Sequence, residues 1–347
     1  MREARVAELL AQYRHLRVAL LGDFFLDRYW TVDPALAEVS IETGLEAFQV
    51  TGARTSPGAA GTVANNLLAL GLGTLWPVGV IGEDGEGYEL KRGLSERGAN
   101  LSHLHESPFR ATPTYTKPMR LTDGSEVEMN RFDRKNRVPL PADLEAQVIA
   151  SLEALLPEVH AIVVMDQVQE EDCGAVTGPV RDWLAGVAAR RPDVVVLADS
   201  RTRINRFTNV ALKLNLTEGS QFAGVAEPSP EDTRALSALS ARLLAQSGQA
   251  VLLTLGEKGV FTKAPNLDCL VPSVPVEGPV DIVGAGDSFA AGAALSLAAG
   301  ATLTEAAAIG NLVASITVQQ LGTTGTASPE QVLARFREKG SQFADVE

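Results

Sequence analysis

The chain has 347 residues, 45% of them hydrophobic, and 43 acidic against 30 basic side chains give a formal net charge of −13. That length suits one large domain or two modest ones with a sizeable core, and no apolar run approaches the ~20 residues of a membrane span. The acidic balance excludes nucleic acid as a partner, since backbone affinity there comes from Lys and Arg, but it leaves room for a small phosphorylated ligand.

In chain order, an amphipathic N-terminal helix leads to apolar runs at Arg17–Leu21, Leu75–Ile81, Ala161–Met165, Val194–Ala198, Leu212–Leu214, Ala250–Leu255 and Val260–Thr262, which read as buried strands. Helical patterns lie between them at Thr62–Leu70, Gly87–Arg97, Leu140–Leu156, Gly178–Arg190 and Asp232–Gln246. Such alternation predicts an α/β fold with a mostly parallel sheet covered on both faces. Ligands gather beyond the carboxyl ends of such strands, where Gly22-Asp23, Asp166, Asp199, Asn215 and Gly256 fall. Two segments, 31–56 and about 110–138, break the rhythm with short polar–apolar alternations. Asp123-Gly124 between Met119–Leu121 and Val127–Met129 is a hairpin signal. These segments predict a small antiparallel flap inserted in a single domain spanning 1–347, serving as a lid or an oligomer contact.

No Gly-Lys dipeptide occurs, so there is no P-loop, and no G-x-G-x-x-G follows the first strand. The second absence weakens a nicotinamide-dependent dehydrogenase. The four histidines show no metal-binding spacing, and Cys173 and Cys269 stand alone, so neither a zinc site nor a disulfide framework is expected. With no signal-like N-terminal segment, the cytoplasm is the expected compartment.

The most informative stretch is Val280-Asp-Ile-Val-Gly-Ala-Gly-Asp-Ser-Phe-Ala-Ala-Gly-Ala293, an apolar lead-in, small residues at 284–286, and an Ala-rich helix to Gly300. A helix start of this kind offers unpaired amides and a positive dipole end to an anion. Asp287 sits inside that positive turn. Taken alone it is equally a first-turn helix acid or a base beside a phosphate. Four further stretches bear on the choice. Gly22-Asp-Phe-Phe-Leu-Asp27-Arg-Tyr-Trp30 reads as an apolar strand ending in two acids, suited to sugar hydroxyls or to turn and cap positions. Ser56–Asn66 reads as a small-residue loop opening a helix, for ligand approach or plain packing. Asn215-Leu-Thr-Glu218 suits water-mediated magnesium binding or a simple helix start. Thr254-Leu-Gly-Glu-Lys-Gly259 is a tight turn between two strands.

In this order and spacing, the chain resembles the ribokinase-like (PfkB) family of carbohydrate kinases over nearly its full length. Asp281-Ile-Val-Gly-Ala-Gly-Asp287 matches that family's C-terminal signature, Asn215-x-x-Glu218 its N-x-x-E motif and Thr254-Leu-Gly-x-x-Gly259 its nucleotide turn. Within the family it is most similar to the kinase half of the bacterial heptose-phosphate kinase/adenylyltransferases, through Gly22–Trp30, Thr116-Lys117-x-x-Arg120, Arg131-x-Asp133 and Leu321-Gly-Thr-Thr-Gly-Thr. The resemblance implies a three-layer α/β/α sandwich with a β lid, and ATP- and Mg2+-dependent phosphorylation of a sugar or sugar phosphate, with heptose 7-phosphate the leading acceptor. It implies Asp287 as general base and the amides of Gly284, Ala285 and Gly286 as anion hole. Asn215 and Glu218 would order Mg2+ and phosphates through water; Thr254, Gly256 and Gly259 would border the nucleotide, with Asn311 near the base.

On the sugar side the resemblance implies Asp27, Gly58, Thr62 and Asn66, with Lys117, Arg120 and Arg131 as the better acceptor-phosphate candidates among the flap cations Arg110, Lys117, Arg120, Arg131, Arg134 and Arg137. Asp281, Val283 and the Gly322–Thr326 loop match positions where many relatives bind a monovalent cation such as K+. Relatives with such a flap often dimerise through it, so a homodimer is expected. Departures lie on the sugar side: Gly58-Ala59 for Gly-Gly, which stiffens a hinge; Thr62 for Asn; Asp166-Gln-Val-Gln-Glu170 without the Lys of the heptose kinases; and Asp199-Ser-Arg201 for Asp-Pro-Lys. Two rivals are retained: a same-fold kinase for a ketohexose phosphate or nucleoside, and a sugar- or nucleotide-binding regulator without catalysis.

Overall fold

The computed structural model describes residues 1–344. Helix α1 (Glu3–Gln12) leads into β1 (Arg17–Gly22), which passes through Asp23 directly into β2 (Phe24–Val32). A two-residue ribbon, β3 (Glu38–Val39) and β4 (Glu46–Ala47), precedes β5 (Val50–Ala59), which runs without a loop into α2 (Ala60–Ala69). Next come β6 (Thr74–Gly82), α3 (Gly85–Glu96), β7 (Leu104–Ser107), β8 (Thr114–Thr122), β9 (Ser125–Glu128) and β10 (Phe132–Arg134). The alternating half holds α4 (Ala142–Leu155), β11 (Ala161–Asp166), α5 (Gly178–Ala185), α6 (Val187–Arg190), β12 (Val195–Ser200), β13 (Val210–Asn215), α7 (Leu216–Ala223), α8 (Thr233–Ser247) and β14 (Gly248–Thr254). The hairpin β15 (Val260–Ala264) and β16 (Leu267–Val271) precedes α9 (Ala285–Ala298), α10 (Leu303–Thr317) and α11 (Pro329–Lys339).

The large sheet has the order β16-β15-β14-β13-β12-β11-β1-β6-β7, parallel except at the β14–β15–β16 end. Its central strands are buried on both faces, and the two-residue period of a strand splits their side chains between two cores. Val18 and Leu20 pack with Val63, Leu67, Phe289 and Leu312 on one side. Ala19 and Leu21 pack with Val148, Leu152, Val180 and Leu239 on the other. The result is the three-layer α/β/α sandwich expected from the resemblance. A smaller sheet, β10-β8-β2-β5 with β9 on β8, stands against it. Its pairings are antiparallel apart from β2 with β8. The turn at Asp123 (φ 49°) and Gly124 (φ 78°), with Thr122 facing Ser125, is the hairpin read from the sequence.

Three local readings change. Gly22–Trp30 is not one strand ending in two acids: Asp23 ends β1, whereas Asp27 lies inside β2, whose first residues Phe24–Leu26 are buried and look like a continuation of β1. Ser56–Ala59 belongs to β5 rather than to a loop. The segment Gly178–Arg190 divides into two helices at Gly186, where the cost of glycine in a helix is highest.

The junction of β5 and α2 carries strain. Ala59 has φ 52° and ψ −118°, a region essentially reserved for glycine, and it is the position where relatives carry the second Gly of Gly-Gly. Ala59→Gly is therefore expected to stabilise the fold by roughly 1 kcal/mol, the relieved strain exceeding the added freedom of the unfolded chain. Urea unfolding of the two proteins measures this, and a less stable variant would show the conformation to be unstrained.

Candidate active site

In the large sheet the chain leaves β1 toward β6 on one side and returns through β11 on the other. The connections that leave the carboxyl ends of β1 and β11 therefore run in opposite directions, the arrangement that opens a crevice above two paired strands. The two acids at that point are structural. Asp23 accepts hydrogen bonds from the amides of Gln167 (2.8 Å), Val168 (2.9 Å) and Ala175 (2.8 Å). Burial, then the charge of Asp166, push its carboxyl up to about 6 against the pull of those amides. Asp166 is fully buried, paired with Arg203 at 2.6 Å and accepting from the Ser200 hydroxyl. Asp23, read as half of a hydroxyl-binding pair, is spent on the crevice floor, and Asp27 is left to face the site.

Helix α9 begins at Gly284, in the left-handed region at φ 80° and without a side-chain cap. The Ala285 amide bonds the Ile282 carbonyl (3.1 Å), and the Ser288 amide closes the first helical turn on Gly284 (2.9 Å). The amides of Gly286 and Asp287 have no helical acceptor. Of the expected trio of donors at 284–286, Ala285 is engaged within the turn, and the Asp287 amide is a further open donor. Thr62 and Thr324 border Gly284, where an added Cβ would lie 3.6 and 3.4 Å from their methyl groups. Asn66, fully buried, donates to the Thr62 carbonyl (3.0 Å), while its Oδ1 has no partner among the described residues.

Beneath this turn lies a pair of which the sequence reading named only Asp199. Lys213 and Asp199 form an ion pair of 2.6 Å, and both are buried. A Cβ on Gly286 would come within 2.8 Å of the Lys213 ammonium. A side chain there would have to displace the ammonium, whereas the backbone itself would accept one. Burial pushes the Asp287 carboxyl up to about 7; Lys213 and Arg201 oppose that rise, and Asp199 and Asp27 add to it. The detectable signal was Lys213 itself, a charge inside the apolar run Val210-Ala-Leu-Lys-Leu, which cannot be buried without a carboxylate.

At the ends of β13 and β14, Asn215 and Glu218 form a reciprocal capping box: Asn215 Oδ1 accepts from the Glu218 amide (2.8 Å), and Glu218 Oε2 from the Asn215 amide (2.9 Å). The helix-start reading of this motif is therefore realised. Burial also raises Glu218, with Asp199 adding to the rise and Lys213 and Arg201 opposing it. Thr254 faces Asn215 in register and donates to the Leu214 carbonyl (3.3 Å). Gly256 (φ 59°) and Gly259 (φ 103°) bound the next turn. Asn311, buried on α10, donates to the Pro272 carbonyl (2.8 Å). Asp281 accepts from the amides of Val283 (3.0 Å) and Gly322 (3.2 Å), which ties the two loops matched to a cation site. Among the described residues, no three His, Cys, Asp or Glu side chains gather as a direct metal cage.

The small sheet supplies the opposite wall. Asp27 faces Tyr115 and Tyr29 faces Lys117 in register, so all four share one face. Lys117 lies 3.8 Å from Asp27 Oδ1, donates to Tyr29 Oη (3.3 Å) and sits 4.9 Å over that ring. Asp27 presses on Gly58, where a Cβ would meet Oδ2 at 2.5 Å. Burial raises Asp27 against the pull of Lys117 and Arg131. Arg131 bonds Asp133 and covers Tyr115 at 4.3 Å. Arg120 does not join them. It is exposed, and three residues beyond Lys117 a strand turns its side chain to the other face. The remaining flap cations are tied elsewhere: Arg110 to the carbonyls of Val138 and Cys173, Arg134 to Asp84 and Glu86, Arg137 to Glu170.

Comparison with known proteins matches residues 39–331 to the family described as pfkB family carbohydrate kinase. The chain is 28% identical over 333 residues to the bifunctional protein HldE of Trichlorobacter lovleyi, covering 95% of this chain and 64% of that protein. It is 32% identical over 329 residues to that of Methylococcus capsulatus, covering 93% and 64%. The chain therefore spans about two thirds of the length of these curated relatives. Its fold is similar to that of Arabidopsis thaliana ribokinase complexed with ribose and ATP (TM-score 0.68, 18% identity, 93% of this chain and 99% of that one). It is also similar to Escherichia coli phosphofructokinase-2 in complex with fructose-6-phosphate (TM-score 0.66, 18% identity, 94% and 99%).

The raised Asp287 carboxyl makes a stability prediction independent of any activity. The native state holds this proton more tightly than the unfolded chain, whose carboxyl titrates near 3.8, so its ionisation costs stability as pH rises from about 4 through about 7. Asp287→Asn removes that cost. The variant is expected to exceed the parent at pH 8 by on the order of 1–3 kcal/mol, its partial exposure allowed for, and to match it near pH 4. Denaturant unfolding across that range checks it; a gain confined to acid pH would reverse the assignment.

Proposed function

Because the chain belongs to the pfkB family of carbohydrate kinases and is a sugar kinase, we propose that it transfers the γ-phosphoryl group of ATP to a hydroxyl of a sugar phosphate, heptose 7-phosphate being the first acceptor to test. The observation that carries this reading is the single carboxylate Asp287, raised to about 7 beside the open amides of the α9 start.

Asp27 accepts from sugar hydroxyls and orients the acceptor. Asp287 takes the proton of the attacking hydroxyl as its oxygen bonds the γ-phosphorus and the bond to the ADP oxygen breaks. A base with a pKa near 7 suits that proton at neutral pH. The α9 amides and the Lys213 ammonium stabilise charge on the transferring group. Thr254, Gly256 and Gly259 border the nucleotide, and Asn311 lies toward the base. Lys117 and Arg131, on the Asp27 face of the small sheet, suit an acceptor phosphate; Arg120 has no part in this reading. Thr62 and Gly58 line the acceptor side; Asn66, fully buried behind Thr62, supports that residue through its bond to the Thr62 carbonyl rather than meeting the acceptor. The small sheet serves as a lid that keeps water from the phosphoryl donor.

Glu218, with Asn215 beside it, fits a magnesium ion held through water, because the capping box uses Glu218 Oε2 and leaves Oε1 without a hydrogen bond among the described residues, while Asn215 Oδ1 keeps one lone pair. The ion would neutralise phosphate charge. A monovalent cation would share Asp281 with the two amides it already accepts, and no step is assigned to it. The motif resemblance to the heptose-phosphate kinases through Gly22–Trp30, Thr116-Lys117-x-x-Arg120 and Arg131-x-Asp133 supports a heptose phosphate as acceptor, as does the placement of Lys117 and Arg131 on the Asp27 face.

ADP release with MgATP and a panel of heptose 7-phosphate, fructose 6-phosphate, ribose and adenosine tests the reading. Heptose 7-phosphate is expected to turn over fastest, and kcat/KM to fall as pH drops through about 7. Asp287→Asn is expected to lose more than ~100-fold in kcat with ATP binding intact. Near-parental turnover in that variant would sink the assignment, and silence across the whole panel would favour a binding protein.

A homodimer formed through the small sheet is part of the same proposal. Val39, Ile41 and Leu45 on the segment between β2 and β5 are 70%, 102% and 69% exposed, more apolar surface than one hairpin usually presents to water. Sedimentation at micromolar concentration is expected to give twice the chain mass, and Ile41→Glu to give the monomer; a monomeric parent overturns this part.

A further inference from the structure

We propose that Arg201 contacts the transferring phosphoryl group and that Gln167 is its positioning residue, a neutral partner that aims the guanidinium without cancelling its charge. This rests on the kinase reading above and adds to it a residue pair that lies where the chain departs from the heptose kinases, in Asp166–Glu170 and Asp199-Ser-Arg201. Two cations stand at the ends of β12 and β13. Lys213 is neutralised by buried Asp199. Arg201 is exposed and forms no ion pair with any described carboxylate; its Nε donates instead to Gln167 Oε1 at 3.1 Å. Its near neighbour Arg203 makes the contrast plain, buried and paired with Asp166.

The geometry around Gln167 is fixed from below. Asp23 takes the amides of Gln167 and Val168 at the start of the 167–175 loop and packs on Gly174 at its end, where a Cβ would meet Oδ1 at 2.4 Å, so both ends of the loop are held. The Arg201 amide donates to the Asp166 carbonyl (3.0 Å), and Asp166 faces Ser200 in register. Backbone on both sides of the Gln167–Arg201 contact is thereby held, and the side-chain bond sets the guanidinium direction. That charge acts favourably on Asp287 at one edge of the crevice and on Glu218 at the other. A phosphoryl group in transit from nucleotide to acceptor passes between those edges. An arginine with two free nitrogens there can grip two equatorial oxygens at once. A carboxylate in place of Gln167 would orient the arginine equally well and cancel what it offers.

The experiment compares parent, Arg201→Ala, Arg201→Lys, Gln167→Glu and Gln167→Met by steady-state kinetics with MgATP and the acceptor that the parent turns over fastest. Melting temperatures are taken for each variant. Arg201→Ala is expected to lose about 100-fold in kcat with the KM for ATP changed less than about threefold, and added methylguanidinium to restore part of the rate. Arg201→Lys should keep an intermediate kcat. Gln167→Glu should lose about tenfold in kcat at an unchanged melting temperature, more than Gln167→Met loses. Arg201→Ala at parental kcat, or a loss residing wholly in the KM for ATP, overturns the inference, as does Gln167→Glu at parental kcat. A parent inactive on every acceptor removes the kinase reading. An active parent with dead Asp287→Asn and unaffected Arg201→Ala removes only the present inference.

Discussion

Two opposite charges, Lys213 and Asp199, are buried 2.6 Å apart at the ends of adjacent strands, and much of the crevice follows from that contact. Neither could be there alone, because stripping one partner from a buried pair costs about 3–5 kcal/mol. The pair locks the carboxyl ends of β12 and β13 side by side and puts an ammonium directly under the first turn of α9. Position 286 must then lack a side chain, and the helix start can approach the sheet closely. Asp287, one residue on, feels both members at once. Lys213 keeps its carboxyl from rising further, and Asp199 prevents Lys213 from pulling it down to the ordinary range. The poise of Asp287 is set first by burial and then trimmed by a pair that it does not belong to.

Much of this was legible in the amino-acid order. Alternating apolar runs and helical patterns gave the parallel sheet, since buried central strands are the most hydrophobic segments of such folds. Asp123-Gly124 gave the hairpin, because few other dipeptides accept two positive φ angles. Gly284–Asp287 gave the helix start without a side-chain cap. What failed did so for identifiable reasons. Phe24–Leu26 carry the apolar pattern of β1 into β2, so a change of sheet left no mark in composition. Arg120 looked equivalent to Lys117 by motif, but their odd spacing on one strand separates their faces. Asp23 looked like a ligand residue until its three amide donors were visible, and those come from a loop more than 140 residues away. Lys213 and Asp199 were readable one at a time, yet their pairing depends on which strands are neighbours.

The small sheet is coupled to the main body by charge as well as by chain. Arg28 on β2 reaches Glu86 and Glu89 on α3, and Arg134 on β10 reaches Asp84 and Glu86. Asp84 also caps α3 through the Gly87 amide and accepts from Thr112, so one short acidic stretch holds strands at both sides of the sheet. These contacts face α3, whereas Asp27, Tyr29 and Lys117 face the crevice. The alternation of a strand thus assigns attachment to one surface and chemistry to the other.

The direct passages from β1 to β2 and from β5 to α2 have a mechanical consequence. Between β1 and β2 there is only Asp23, and between β5 and α2 there is nothing; the Ala60 amide bonds the Asp23 carbonyl at 3.0 Å and binds the two crossings together. This knot adds a backbone tie to the ion pairs at α3, and it lies on the residue whose carboxylate also grips the 167–175 loop. The Asp27 wall is thereby linked through Asp23 to the far side of the crevice, with the strained Ala59 at the joint.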